Sequence, residues 1–95
     1  MRIALSIEYN GTCYYGWQKQ KINKSKTIQY YVDKAISVIA NETIASTCAG
    51  RTDTGVHAFS QIIHFDTLKK RKDYRWIQGI NSFLPSDILV KDIFH

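Results

Sequence analysis

The stretch RIALSIEY, residues 2–9, sets the pattern from which the fold follows. On one face of an extended chain its residues are all large and apolar: Ile3, Leu5, Ile7 and Tyr9. This period of two predicts a half-buried β-strand and not a helix. Asn10-Gly11 then breaks the pattern, and residues 10–26 have no clean period, so we interpret them as a long exposed loop.

Two helical patterns follow along the chain. Between Thr27 and about Asn41, apolar residues recur every three or four positions, and the Thr27 hydroxyl can accept a hydrogen bond from a first-turn amide. A shorter pattern of the same period begins at Tyr74 and stops at Pro85, which cannot extend a helix. The spacings therefore predict one helix before the middle of the chain and a second helix after it.

Three further strands are predicted around these helices. Residues 44–49 are rich in β-branched and small side chains, and residues 59–65 have strand character, with residues 50–56 as the loop between them. A last strand covers residues 87–94. Its alternation puts Ile88, Val90 and Phe94 on one side and Leu89 and Ile93 on the other.

The order strand, helix, strand, strand, helix, strand predicts the fold class. This order is typical of an α+β domain with the split βαβ (ferredoxin-like, βαββαβ) arrangement, in which two helices cover one face of an antiparallel sheet. A chain of 95 residues suits a single domain with its own core. The second face of the sheet stays open, and it either binds RNA through exposed side chains or packs against another domain.

The charge balance favours a polyanionic partner. The net charge is +5 and the pI is about 9.3. Clustered Lys and Arg gain affinity for phosphates by releasing counterions, although a run of charge also suits a solvated loop. The cations form two groups: Lys19, Lys21, Lys24 and Lys26 in the first, and Lys69, Lys70, Arg71, Lys72 and Arg75 in the second.

The cysteines and the chain start favour a cytoplasmic location. Cys13 and Cys48 have no metal-ligand spacing, and no secretory signal precedes the first strand, so both thiols are expected to be reduced. No apolar stretch is long enough to cross a bilayer, so no membrane partner is expected.

A glycine-flanked carboxylate stands out in CAGRTDTGVHAF, residues 48–59. Gly50 and Gly55 permit backbone angles that other residues avoid, so this loop can hold Asp53 in an unusual position at a strand end. Arg51 would keep Asp53 ionised or bind phosphate. By composition alone, a hairpin turn in which Asp53 caps the backbone and pairs with Arg51 explains the same residues.

The full string changes the balance between these interpretations. AGRTDTGVHA, residues 49–58, resembles the signature of the TruA family of tRNA pseudouridine synthases, whose motif places the catalytic aspartate in G-R-T-D-x-G-V-H-A. Further stretches resemble the family in the family's own order: IEYNGTCYYGWQKQ, TIQYYVDKAI, QIIHFDT and INSFLPSDILV. The resemblance covers nearly the whole chain.

This resemblance implies isomerisation of uridine to pseudouridine in tRNA, in the anticodon stem and loop, with no cofactor and no metal. It implies that Asp53 is the catalytic nucleophile, acting on the pyrimidine ring or on the anomeric carbon of the sugar. Arg51 matches the arginine of the motif, which either neutralises or orients the aspartate or fills the space that the flipped base leaves. His57 either hydrogen-bonds to RNA or the loop, or has a structural role.

Aromatic and basic residues interleave in the first loop. They are Tyr14, Tyr15, Trp17, Lys19 and Lys21. This mixture suits stacking on bases and contacts to phosphates. The same aromatic residues could instead anchor the loop on the surface of the domain or on a partner domain.

Members of the family are much longer and consist of two similar halves, which face each other across the active-site cleft and commonly form homodimers. Residues 1–95 resemble the N-terminal half, with the catalytic aspartate, and are expected to have little activity alone. A noncatalytic RNA-binding module of the same fold is the alternative, but the aromatic consensus strand of such modules is absent. A further alternative is a domain whose only role is to form dimers. Neither explains the string around Asp53.

Overall fold

The structure is a computed structural model that describes residues 1–10, 27–48 and 58–95, with residues 58–60 described by their backbone alone. Six elements follow in the predicted order. They are β1 (Arg2–Tyr9), α1 (Ile28–Ala40), β2 (Thr47–Cys48), β3 (Ala58–Asp66), α2 (Asp73–Ser82) and β4 (Ile88–Phe94).

The four strands form one sheet in the order β2-β3-β1-β4. Each neighbouring pair is antiparallel, and β1 lies between β3 and β4. The α+β fold class with a split βαβ arrangement is therefore confirmed.

One core lies between the sheet and the two helices. The face of β1 that the alternation predicts to be buried is buried, and so are Ile63 and Phe65 of β3. Helix α1 contributes apolar residues along one side, and α2 contributes Trp76 and Ile80. The ring of Trp76 meets that of Phe65 edge to face, with centroids 5.7 Å apart. Both helices thus cover the same face of the sheet.

Helix α1 begins and ends as the sequence predicts. The Thr27 hydroxyl accepts a hydrogen bond from the amide of Tyr30 at 3.4 Å. Asn41 ends the helix with a left-handed φ of 54°, a conformation that Asn tolerates better than most residues. Within the described ranges, neither α1 nor α2 is long and apolar enough to cross a membrane.

Strand β2 is shorter than predicted, because residues 44–46 bond to α1 and not to a strand. The Ile44 amide donates to Ser37 Oγ at 2.9 Å. The Ser46 amide donates to Asp33 Oδ1 at 3.1 Å, and the Ser46 carbonyl accepts from Gln29 Nε2 at 2.9 Å. Side chains of the helix thus bind the backbone groups that a strand partner would otherwise bind.

The predicted faces of β4 are wrong beyond Val90. Ser6 pairs with Asp92 but Ile7 pairs with Val90, so Lys91 is an extra residue on β4. Such a β-bulge reverses the alternation that follows it. As a result Ile93 packs against the core, while Phe94 is on the open face.

Arg2 and Asp66 form an ion pair at the end of the sheet where β1 begins. Arg2 donates from Nε to Asp66 Oδ1 at 3.0 Å and from Nη2 to Oδ2 at 3.3 Å. The hydrogen bond from Arg2, assisted by its positive charge, lowers the pKa of Asp66 below its ordinary value. Both side chains are exposed, so solvent screening keeps the contribution of this pair to stability small.

We predict that Arg2→Gln raises the pKa of Asp66 towards its unfolded value of about 3.9. In the parent protein, the pKa of Asp66 is lower in the folded state than in the unfolded state. The pair therefore stabilises the fold fully at pH values above the unfolded pKa, and this stabilisation is lost as the pH falls through the folded pKa. Titration of the Asp66 carboxyl carbon by NMR measures the shift. An identical pKa in parent and variant would contradict the prediction.

We predict that Asp33→Ala lowers the free energy of unfolding by about 2 kcal/mol, because it leaves the buried Ser46 amide without its acceptor. Urea unfolding followed by circular dichroism measures the change. Asp33→Asn keeps an oxygen acceptor and should lose less. Asp92→Ala, at an exposed position, is the control and should change stability by less than about 0.5 kcal/mol. Equal stabilities for Asp33→Ala and this control would refute the role of Asp33.

Candidate functional site

Three strand termini meet at one end of the sheet. Tyr9, the last residue of β1, pairs with Ala58 at the start of β3 and with Ile88 at the start of β4. The Asn10 amide donates to the carbonyl of Asp87 at 3.0 Å. We name this end, formed by Tyr9, Ala58 and Ile88, the loop end.

The segments 11–26 and 49–57 both join the described fold at the loop end. The first follows Asn10, and the second precedes Ala58, the partner of Tyr9. All seven site residues predicted from the sequence fall in these two segments, outside the described residues: Asp53, Arg51, Tyr14, Tyr15, Trp17, Lys19 and Lys21. His57 falls there as well. The structure therefore describes the attachment points of the candidate site.

Segment 11–26 is flanked by buried residues, although Asn10 itself is exposed. Tyr9, next to its start, and Thr27 and Ile28, at its end, all belong to the buried interior. Thr27 also caps α1, so the chain re-enters the core and the helix at the same residue. Close packing fixes both attachment points relative to the sheet.

The attachment points of segment 49–57 are held by the pairing of β2 with β3. Cys48, the last residue of β2, pairs with Ile63 and packs against the core. Its Sγ accepts a hydrogen bond from Gln61 Nε2. Since only two residues of β2 pair with β3, the side-chain bonds from α1 to residues 44–46 also help to position this strand.

A second β-bulge lies directly beside segment 49–57. Ile7 pairs with Gln61 and Tyr9 with Ala58, so residues 59 and 60 oppose Glu8 alone. A bulge increases the local twist and redirects the strand that carries it. Here it sets the direction in which β3 leaves the segment that contains Asp53.

Asn81 is a positioning residue that the sequence did not reveal. Its Nδ2 donates to the Val90 carbonyl at 3.0 Å, and its Oδ1 accepts from the Val90 amide at 2.7 Å. One side chain thus satisfies both backbone groups of a residue on an edge strand, as a neighbouring strand would. It fixes α2 against β4 where Val90 pairs with Ile7, close to the loop end. No local pattern distinguishes it from any other polar residue near the end of a helix.

The open face of the sheet carries exposed apolar side chains. Ile62 is 42% exposed, Leu89 47% and Phe94 48%. They lie opposite Ser6, Glu8 and Ala4 of the central strand, respectively, on the face away from the helices. This confirms that the second face is open.

The two described histidines lie away from the loop end. His64 is half-buried on β3, and His95 is exposed, with Nε2 2.7 Å from Asp73 Oδ1. Among residues 1–10, 27–48 and 58–95, no three His, Cys, Asp or Glu side chains come together as metal ligands. The described part therefore contributes anchoring and shape to the loop end.

Comparison with known proteins gives the chain a family. A family model described as tRNA pseudouridine synthase matches residues 5–94. A tRNA pseudouridine synthase A of Colwellia psychrerythraea is 58% identical over 90 residues, which cover 95% of this chain. Proteins of the same name from Vibrio campbellii and Klebsiella pneumoniae are 53% and 50% identical, over 96% and 99% of the chain.

The match covers only part of each relative. The chain spans 34% of the length of these three proteins. Almost every residue of the chain is nevertheless matched, including the string around Asp53 and both segments that meet at the loop end. By this match, the chain belongs to the tRNA pseudouridine synthase family.

Proposed function

We propose that residues 1–95 are a single domain, the N-terminal catalytic-aspartate half of an enzyme that isomerises uridine to pseudouridine in tRNA. The observation that carries this proposal is the family match over residues 5–94, which includes Asp53 in GRTDTGVHA. The fold adds physical support, because it joins the segments with the aspartate and with the aromatic and basic residues at one end of the sheet.

Asp53 is proposed as the nucleophile. Its carboxylate adds either to the pyrimidine ring or to the anomeric carbon, the glycosidic bond from N1 breaks, the base rotates, and C5 bonds to the anomeric carbon. Release of the Asp53 carboxylate, loss of the proton from C5 and gain of a proton at N1 complete the isomerisation. Substrate and product are isomers, so the reaction needs neither an oxidant nor a group donor. The target uridine has to leave its stack before a carboxylate can reach it.

The residues around Asp53 supply binding and orientation. Arg51 neutralises or orients the carboxylate, or fills the gap that the flipped base leaves. Tyr14, Tyr15 and Trp17 offer surfaces on which bases stack, and Lys19 and Lys21 offer charges for phosphates. The fold can hold these groups in a constant relation to each other, because Thr27 and Ile28, which follow the first segment, are buried in the core against which Cys48, which precedes the second segment, packs.

The remainder of the protein is proposed to complete the site. The relatives are about three times as long, and the open face with Ile62, Leu89 and Phe94 leaves apolar surface for a second half to cover. A homodimer of the complete protein, a cytoplasmic location and a target in the anticodon stem and loop belong to the same proposal.

A noncatalytic RNA-binding module explains fewer of the observations than the proposed synthase function does. Modules of this fold stack bases on aromatic side chains of the two central strands. Among the described side chains of β1 and β3, those on the open face include no Phe, Tyr or Trp: Arg2, Ala4, Ser6, Glu8, Ile62, His64 and Asp66. The described side chains of these two strands therefore offer less stacking surface than such a module uses.

We expect Asp53→Asn in the complete protein to lower pseudouridine formation by at least about a thousandfold, as removal of a nucleophile does in other enzymes. Release of tritium from tRNA labelled at uridine C5 measures the reaction, since the hydrogen at C5 is lost. Circular dichroism should be unchanged. Asp66→Asn, at the opposite end of the sheet, is the matched control and should keep normal activity. Retained turnover in Asp53→Asn would remove Asp53 from this role.

We expect the 95-residue chain alone to convert little or no uridine, because a cleft formed by two halves would lack one wall. The same tritium assay on unmodified tRNA tests this, with the complete protein as the positive control. Turnover by the chain at a rate near that of the complete protein would refute the need for a second half.

A further inference from the structure

The turn before α2 carries a dense group of positive charges. Five of the seven residues from 69 to 75 are cations, and we name them the basic turn: Lys69, Lys70, Arg71, Lys72 and Arg75. All of them are exposed except Lys69, which is half-exposed. Asp73 is the single acid among these seven residues, so the stretch has a net charge of five minus one, or +4.

No described acid neutralises the basic turn. Asp66 pairs with Arg2 and Glu8 with Lys91, and Asp73 Oδ1 lies 2.7 Å from His95 Nε2. Within residues 1–10, 27–48 and 58–95, none of the five cations makes an ion pair. The rest of the sequence contains one further acid, Asp53. The five charges are thus available to an external anion.

The backbone of the basic turn is held in place. Glu42 Oε2 accepts from the Thr67 hydroxyl at 3.1 Å and from the Leu68 amide at 3.2 Å. Arg71 donates from Nε to the carbonyl of Ile39 at 2.8 Å, and no described acceptor takes its two Nη groups. Ordering before binding lowers the entropy cost of taking up a ligand.

Apart from Arg71, whose Nε donates to the Ile39 carbonyl near the end of α1, the charges do not serve the stability of the fold. Four of the cations directly precede or cap the N-terminus of α2, where the helix dipole favours anions and opposes cations. Lys72 occupies the N-cap position and makes no side-chain cap hydrogen bond. Binding to a polyanion would relieve this repulsion and would also release counterions.

The basic turn lies at the opposite end of the sheet from the loop end. It follows Asp66, whose partner Arg2 begins β1, whereas Tyr9 ends β1 at the loop end. Strand β1 has eight residues, and the steps between them, at about 3.3 Å each, separate the two ends by about 23 Å. A second anion site at this distance could reach a part of an RNA stem well away from a nucleotide bound at the loop end.

We propose that the basic turn binds the phosphodiester backbone of the tRNA substrate, away from the reacting uridine. This inference rests on the proposed function. The Arg71 fork can bind a phosphate through two donors, and the lysines act as point charges. Tyr74, half-exposed, lies under the Arg75 guanidinium with its centroid 5.6 Å away, which keeps that cation at the surface. An anionic membrane fits less well, because Leu68 is the one strongly exposed apolar side chain of the turn.

Two charge-matched double variants test the proposal. Lys70→Gln with Lys72→Gln removes two charges from the basic turn, while Lys34→Gln with Lys91→Gln removes two from elsewhere. Each lowers the net charge from +5 to +3. Binding of the 95-residue chain to an unmodified tRNA transcript is measured by fluorescence anisotropy over a range of salt concentrations, after circular dichroism has shown equal folding.

The Lys70→Gln, Lys72→Gln variant should bind tRNA about tenfold more weakly than the parent in 0.1 M salt. The slope of its plot of log affinity against log salt should be smaller in magnitude by about 1 to 2, because each lost phosphate contact lowers that slope by about 0.7 to 0.9. The second should stay within about twofold of the parent. Equal weakening of both would show a net-charge effect and overturn the proposal. Unchanged tRNA binding by the Lys70→Gln, Lys72→Gln variant would also overturn the proposal. Binding of the chain through its basic turn to phosphatidylserine vesicles in preference to tRNA would do the same.

The same experiment separates this proposal from the proposed function. If the first variant binds tRNA as the parent does, while Asp53→Asn abolishes conversion in the complete protein, the basic turn is refuted and the proposed function stands. If Asp53→Asn keeps full conversion while the lysine variant loses affinity, the basic turn remains an RNA site and the proposed catalytic role fails.

Discussion

The structure depends on the pairing of β1 with both β3 and β4. Because β1 is central and its alternate residues are fully buried, its two ends define the two ends of the domain. The register of β1 with its two antiparallel neighbours then determines which residues of β3 and β4 lie beside Tyr9. Ala58 and Ile88 must both lie beside Tyr9, so the segment before β3 and the segment after β1 have to join the fold at the same place. A local period of two in eight residues thus determines where a long-range site is assembled.

The same period also shows how far sequence reasoning reaches. Burial of alternate residues needs only a sheet with one covered face, so the faces of β1 follow from the residues themselves. The bulge at Lys91 does not follow from them, because it is a mismatch between two strands and neither strand carries its signature alone. The shortening of β2 has a similar origin. Residues 44–46 have strand-forming side chains, but Asp33 and Ser37 of the preceding helix bind their amides. Local propensity predicts an element only where no distant side chain competes for its backbone.

The candidate site likewise has parts that the sequence predicts and parts that it does not predict. Physical reasoning from the residues reaches a glycine-flanked aspartate beside an arginine, which is as good a turn as it is a catalytic group. The identity of Asp53 as the proposed nucleophile came from the ten-residue string, and the family match supports the context of that string. The anchoring residues are different, because the sequence did not predict them at all. Asn81 and the bulge opposite Glu8 act on the loop end through backbone hydrogen bonds, which leave no periodic trace in the sequence.

In the proposed function, a domain with its chemistry at one end and unpaired charge at the other divides the work of substrate recognition between the two ends. Contacts to phosphates are the same in the bound substrate and in the transition state, so they strengthen binding without accelerating the chemical step. The groups proposed at the loop end differ, because their interactions change as the base leaves its stack and the glycosidic bond breaks. In this proposal the two kinds of contact belong to opposite ends of β1, whose ends are about 23 Å apart, so that one can vary without disturbing the other. Since backbone contacts carry no sequence information, a remote basic turn can hold many tRNAs alike, and the choice of uridine is left to the shape and the contacts at the loop end.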